Sequence, residues 1–309
     1  MGTPAFAAAT LDSLLQAGHA IVAAVTRPDA AAGRGLRARP SAVSLLARQR
    51  GLALIQPESV KGPGFLETAA SLSPDVLVVV AYGRILPQPL LDLATHGSIN
   101  AHASLLPRYR GAAPIAWAIA NGERETGVTT MRMVRKLDAG EILLQRSTPI
   151  ADDETAGRLE TRLAGMAADL MVETLARLEA GGITAVPQDE SLVSYAPMLD
   201  KKDGWIDWNL PARGIECRVR AFDPWPGART RTGAGTTLRI WSARPLDGAA
   251  GESPGLVAED RGRGGVRIAC GSGSSLLLLE VQPEGRRRMS ALEALSGRHL
   301  RHGDTLGGS

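Results

Sequence analysis

Short apolar runs alternate with helical spacing along the first half of the chain. Residues 20–26, 52–55, 76–80 and 98–102 read as buried strands. Runs such as "DVLVVV" are apolar on both faces, as strands of a covered parallel sheet must be. Residues 11–17, 41–50, 65–72 and 87–93 carry the three-to-four spacing of helices between those strands. At the start, Gly2-Thr3-Pro4 predicts a turn into a helix capped by Thr3, with Pro4 in its first position. That helix runs over Phe6, Leu11, Leu14 and Leu15 and stops at Gly18. The rhythm predicts a doubly wound, Rossmann-like α/β domain with a mostly parallel sheet. A turn-helix-strand unit normally follows a strand, yet only Met1 precedes this one. This pattern predicts that the first strand is missing, through a late start or a truncation. A chain beginning at Met1 is therefore expected to fold poorly or have little activity, because loss of an interior strand exposes unpaired ladder groups.

The rhythm then changes. "TGVTTMRM" and "GEILLQRSTPI" alternate like antiparallel or edge strands, and 155–180 is one long amphipathic helix closed by Gly181-Gly182. From about residue 204 one helix, Ala212–Ala221, stands among short β-like runs separated by glycine. This predicts a small β-barrel of the OB type. The expected organisation is a catalytic domain over 1–183, a linker over 184–203 and a C-terminal barrel over 204–309.

Composition adds little to this picture, and charge somewhat more. The 309 residues are 44% hydrophobic, enough for two modest cores. The net charge of +3 is uneven, because residues 201–309 hold 17 Lys/Arg against 12 Asp/Glu. A basic C-terminal part fits a polyanionic partner such as nucleic acid, or equally an arginine-rich solvated surface. Cys217 and Cys270 have neither metal spacing nor a disulfide framework, which predicts a reducing compartment and hence the cytoplasm. No run approaches the length of a membrane span and no leader is visible, so no membrane is expected.

Candidate chemistry concentrates in "GSINAHASLLPRYRGAAPIAWAIANG" and "VRKLDAGEILLQ". Asn100 and His102, two apart on a strand, leave the same face at its C-terminal end, where open parallel sheets place ligand crevices. Asp138 sits in a loop before the next strand and is able to return to that crevice. An amide donor, an imidazole and a carboxylate would polarise a carbonyl and handle a proton. Spacing alone also allows a structural histidine at a strand end.

"NAHASLLPRYRGAAPI" resembles the signature of the 10-formyltetrahydrofolate-dependent formyltransferases, Asn-x-His-x-Ser-Leu-Leu-Pro-x-x-x-Gly. One departure is Ala103, where Gly is usual; its methyl group would crowd the loop if φ were positive. "MGTPAFAAATLDSLL", "TRPDAAAGRG", "VVVAYGRILP", "IDW", "RAFDPWPGA" and "QPEGRRRMSALEAL" extend the likeness over nearly the whole chain. All of them resemble the branch of the family that acts on charged initiator tRNA, and the last three lie in a C-terminal part that related hydrolases and sugar formyltransferases do not share in this form. The resemblance implies a monomeric one-carbon transferase with 10-formyltetrahydrofolate as formyl donor, initiator methionyl-tRNA as partner and no metal. It implies catalytic roles for Asn100, His102 and Asp138. Asn100 and protonated His102 would donate to the formyl oxygen as it gains charge, and Asp138 would accept a proton or hold the imidazole in its charged form. It implies a folate loop at Ser104, Leu105, Leu106 and Pro107 that exposes its leucines, beside Val80, Tyr82 and Gly83. For tRNA it implies a glycine-hinged loop with Arg34, Arg37 and Arg39, and a basic C-terminal surface with Lys201, Lys202, Arg218, Arg220, Arg286 and Arg287. Trp225 is expected to pack rather than stack on a base.

Overall fold

The computed structural model describes residues 1–32, 37–246, 251–260 and 263–307. Two compact units emerge, one of Met1–Pro114, Glu125–Pro149 and Glu160–Ala196, the other of Ile115–Arg124, Ile150–Leu159 and Pro197–Ser309.

The first unit opens with α1 (Ala5–Gln16), which buries Phe6, Ala7, Thr10 and Leu14 on one face. Its N-cap is Pro4 rather than Thr3. The Thr3 hydroxyl is taken by a longer-range bond to the Tyr82 carbonyl, at 3.2 Å. Gly18 (φ +85) ends the helix as expected. There follow β1 (Ala24–Val25), a hairpin of β2 (Ala30–Ala32) and β3 (Arg37–Arg39), α2 (Ala42–Gln49), β4 (Leu54–Ile55), α3 (Pro63–Ser71), β5 (Leu77–Val79), α4 (Gln88–Leu91) and β6 (Ser98–His102). Next come β7 (Arg110–Gly111), α5 (Pro114–Ala120), β8 (Glu125–Arg132), β9 (Ile142–Pro149), α6 (Ala156–Glu179) and β10 (Tyr195–Ala196). Of these, α5 from Ile115 on and the first residues of α6, up to Leu159, fall in the second unit.

Strand β1 pairs parallel with β4, and β5 parallel with β6, while β8 and β9 continue that second sheet antiparallel in the order β5-β6-β8-β9. Met1 and Gly2 lie between the two sheets. Gly2 N donates to Val25 O at 2.9 Å, Val80 N to Met1 O at 2.9 Å, and the Met1 amino nitrogen to Val78 O at 2.6 Å. Gly2 is required there, since a Cβ would stand 2.8 Å from Val80 O. Burial holds the Met1 amino group down at about 5. Beside this short ladder is an apolar cavity of about 470 Å³, lined by 20–25 on one side and 76–78 on the other. The predicted strand 20–26 forms only at Ala24–Val25, because a ladder needs a paired neighbour. Helix α6 buries Leu163, Ala167, Leu170, Met171 and Leu175 at helical spacing, and Thr174 Oγ1 lies 2.8 Å from Thr130 Oγ1 of β8.

The second unit holds α7 (Ala212–Ala221), then β11 (Arg229–Arg231), β12 (Thr237–Leu246), β13 (Val257–Asp260), β14 (Gly265–Ala269), β15 (Ser275–Pro283), β16 (Met289–Ser290) and α8 (Ala291–Ser296). The strands form one curled antiparallel sheet, β11-β12-β15-β14-β13 with β16 on β15. It is a half-barrel of the OB-like kind. Ile215, Val219, Leu238, Ile240, Ile268, Leu276 and Leu278 fill its core. Ser290 and Glu293 cap α8 reciprocally.

Residues 184–196 are not a free connector. Val186 pairs with Ile142, and β10 runs parallel to β7 as part of the first unit.

Candidate active site

Strand β6 carries Asn100 and His102 on one face, with Ile99 and Ala101 buried on the other. Val79 of β5 pairs with Asn100, so residues 80–83 leave the same C-terminal edge as His102. Asn100 is half-buried, and its amide makes no hydrogen bond among the described residues. His102 is buried. Its Nε2 lies 2.9 Å from the Tyr109 carbonyl, which only accepts, so Nε2 carries a hydrogen. Its Nδ1 faces Asp138 Oδ2 at 3.7 Å, just beyond hydrogen-bond range. Asp138 Oδ2 is already fixed by the Gly111 N–H at 2.8 Å. The sequence-predicted His102 and Asp138 therefore come together, with Asn100 on the same strand face.

Two residues here have left-handed backbones, Tyr109 (φ +61) and Asp138 (φ +47). Such conformations cost free energy and gather where geometry is dictated by function. Ala103 has no positive φ among these outliers, so its methyl group does not strain the loop.

The loop after β6 is pinned from below. Thr129 Oγ1 donates to Ser104 O at 2.7 Å and accepts from Leu106 N at 3.1 Å. Gln145 Nε2 donates to Leu106 O at 2.8 Å and to Thr129 Oγ1 at 2.9 Å. Neither Thr129 nor Gln145 was visible in the sequence pattern; both sit on ordinary alternating strands. The expectation that the loop exposes two leucines is corrected: Leu106 is buried and only Leu105 reaches the half-buried zone. Ser104 turns inward too, donating to Arg108 O at 2.6 Å. Val80 and Tyr82 are buried, and Gly83 is exposed. Burial pushes the Tyr82 phenol up.

The basic residues separate by environment. Arg34 lies outside the described residues. Arg37 and Arg39 lie on β3, with Arg39 exposed. Lys201, Lys202, Arg286 and Arg287 are exposed, Lys202 pairing with Asp200 at 3.0 Å and Arg287 with Glu293 at 3.6 Å. Arg218 is half-buried. Arg220 is withdrawn from the surface, clamped by Glu216, whose Oε2 accepts from Nη2 at 3.1 Å. Trp225 is 51% exposed, against the packing role expected of it; α7 ends on Phe222, which takes the buried position instead. The aromatic residues that do organise cations are others. Arg239 and Arg288 stack on Trp241 at 4.3 and 4.8 Å, and Arg229 and Arg231 on Trp205 at 4.8 and 5.3 Å.

His102 and Asp138 meet at the carboxyl edge of the parallel strands with the Asn100 amide on the same strand face, a set of groups with the chemistry to serve group transfer. Residues 1–175 match the formyl transferase family model and 198–299 the formyl transferase C-terminal domain. The chain belongs to the formyl transferase family, among the methionyl-tRNA formyltransferases. It is 50% identical over 300 residues to the methionyl-tRNA formyltransferase of Anaeromyxobacter dehalogenans, covering 96% of this chain and 95% of that one. With that of Methylococcus capsulatus it shares 49% over 306 residues, covering 99% and 98%. Among solved structures, the Helicobacter canadensis N-formyltransferase in complex with folinic acid and dTDP-3-aminofucose shares the fold at a TM-score of 0.65 and 18% identity, over 91% of this chain and 97% of that one. HypX from Aquifex aeolicus in complex with tetrahydrofolic acid does so at 0.57 and 20%, over 82% and 44%.

Proposed function

We infer that the protein transfers the formyl group of 10-formyltetrahydrofolate to the α-amino group of initiator methionyl-tRNA, giving N-formylmethionyl-tRNA for translation initiation. The observation that carries the chemistry is the 3.7 Å approach of His102 Nδ1 to Asp138 Oδ2, with Nε2 already spent on a carbonyl. Proton traffic then falls to Nδ1.

The neutral amine attacks the formyl carbon and the carbonyl oxygen gains negative charge. The Asn100 amide, without another partner among the described residues, donates to that oxygen, and one such donor is worth about 3 kcal/mol. The donor role expected of His102 gives way to proton transfer, since Nε2 is held by the Tyr109 carbonyl and Nδ1 faces Asp138. The amine loses a proton through the His102–Asp138 pair. The bond from the formyl carbon to N10 breaks, and N10 leaves carrying a proton, so tetrahydrofolate and the formamide account for every atom. Residues 104–107 and 80–83 leave one sheet edge and supply the donor's binding walls, with Ala81, Gly83, Leu105 and Pro107 as the accessible members. Arg34, Arg37 and Arg39 meet the acceptor end. Lys201, Lys202, Arg218, Arg286 and Arg287 meet the phosphate backbone, and Arg220 serves the fold. The reading includes a cytoplasmic monomer, on the resemblance and the two unpaired buried thiols.

Asp138→Asn keeps the shape and removes the proton acceptor, so kcat is expected to fall at least 100-fold with KM for both substrates within a few-fold. Near-normal turnover would overturn the role of Asp138. Offering methionyl-tRNA, an amino-sugar nucleotide or water alone with 10-formyltetrahydrofolate identifies the acceptor; product formed only with methionyl-tRNA is expected.

A further inference from the structure

The segment expected as a linker is stitched across the active site in three places. Val186 and Ile142 exchange backbone hydrogen bonds of 2.8 and 2.9 Å at the start of β9. Gln188 reaches from there to the loop that carries Asp138. Its Nε2 donates to Asp138 O at 2.8 Å and to Gly140 O at 2.7 Å. Its Oε1 accepts from Arg110 Nε at 3.0 Å and from Arg110 Nη2 at 2.7 Å. Further along, Ser194 Oγ accepts from Tyr109 N at 2.9 Å, and Ser194 O from Arg110 N at 2.9 Å.

We propose that this strap is part of the catalytic apparatus, with Gln188 as the positioning residue of Asp138 and Ser194 as that of Tyr109, whose carbonyl orients His102. The proposal rests on the proton-handling reading of His102 and Asp138. At position 188 an amide satisfies both sides at once. On one side stands a fully buried guanidinium with nothing but donors, so an oxygen must face it. On the other stand two carbonyls that only accept, so an N–H₂ must face them. Asp138 needs this hold because its backbone sits at φ +47, a conformation that the surrounding structure must enforce. Arg110 is itself tethered by Gln188 and by Glu190, whose Oε1 accepts from Nη2 at 2.9 Å, and its Nη1 meets no partner among the described residues. Gln188 therefore couples a rigid buried cation to the one loop whose placement sets the distance to His102.

Gln188→Glu separates the two halves of this role. It retains an oxygen for Arg110, and so the fold, but turns a second oxygen toward the carbonyls of Asp138 and Gly140. The full-length variant is expected to keep its thermal midpoint while kcat falls 10- to 100-fold, with KM for 10-formyltetrahydrofolate and methionyl-tRNA within twofold. In an Asp138→Asn background the same change is expected to cost less than twofold, because Gln188 acts only through Asp138. Ser194→Ala, a smaller change that leaves Gln188 untouched, is expected to lower kcat three- to tenfold by the same KM-neutral route. Wild-type kcat in both single variants, or an undiminished Gln188→Glu effect in the Asp138→Asn background, would overturn the proposal. A silent Asp138→Asn would instead overturn the reading of Asp138 itself.

Discussion

Gly111 is the glycine that closes the signature pattern, and its reason is physical. It sits at φ +129, and a Cβ would stand 2.5 Å from the Ala196 carbonyl of the strap. Gly111→Ala is expected to cost about 1–3 kcal/mol in denaturant unfolding and to lower kcat, because the strained backbone and the lifted strap both move the N–H that holds Asp138. An unchanged midpoint and rate would refute that account. Asn100, His102 and Asp138 were all legible as residue types in a motif. Thr129, Gln145, Gln188 and Ser194 were not, since a Thr on a strand or a Gln in a polar stretch carries no signal until its partners are in place.

At the scale of elements, β10 and its approach are the clearest departure from expectation. An extended polar run with no apolar period reads as connector, yet backbone pairing does not need apolar side chains, and β10 pairs with β7 through the backbone alone. Glu190 helps to hold the strap, bonding Arg110 and Lys136, and these bonds keep its carboxyl near 2 against an ordinary 4.5. The sign follows: its contribution is fully present above pH 4.5 and is lost as pH falls toward 2. Amide exchange at Gly111 and Ala112, corrected for intrinsic rates, is expected to speed up over that window, and Glu190→Gln to remove the pH dependence. Equal pH dependence in the variant would count against Glu190 as the acid-labile tether.

For the molecule as a whole, the informative quantity is where the basic residues are free. The surplus over 201–309 was visible in composition, but composition does not distinguish exposed Arg286 from Arg220, which Glu216 holds within the fold. KM for methionyl-tRNA is expected to rise steeply with salt. Arg286→Ala is expected to lower the log–log salt slope by about one, as for the loss of one phosphate contact, with kcat unchanged. Arg220→Ala is expected instead to lower the thermal midpoint. A salt-independent KM would argue against the phosphate-contact reading.

The sequence by itself determined the class of fold, the family and the three candidate reacting groups, because periodicity and short motifs are local and survive without coordinates. Only the tertiary structure decided which nitrogen of His102 is available, which arginines are spent inside the fold, and that a stretch with no apolar period is a strap over the site. Those facts depend on partners far apart in the chain, such as Gln188 and Asp138, and hydrogen bonding between them leaves no periodic trace in either segment.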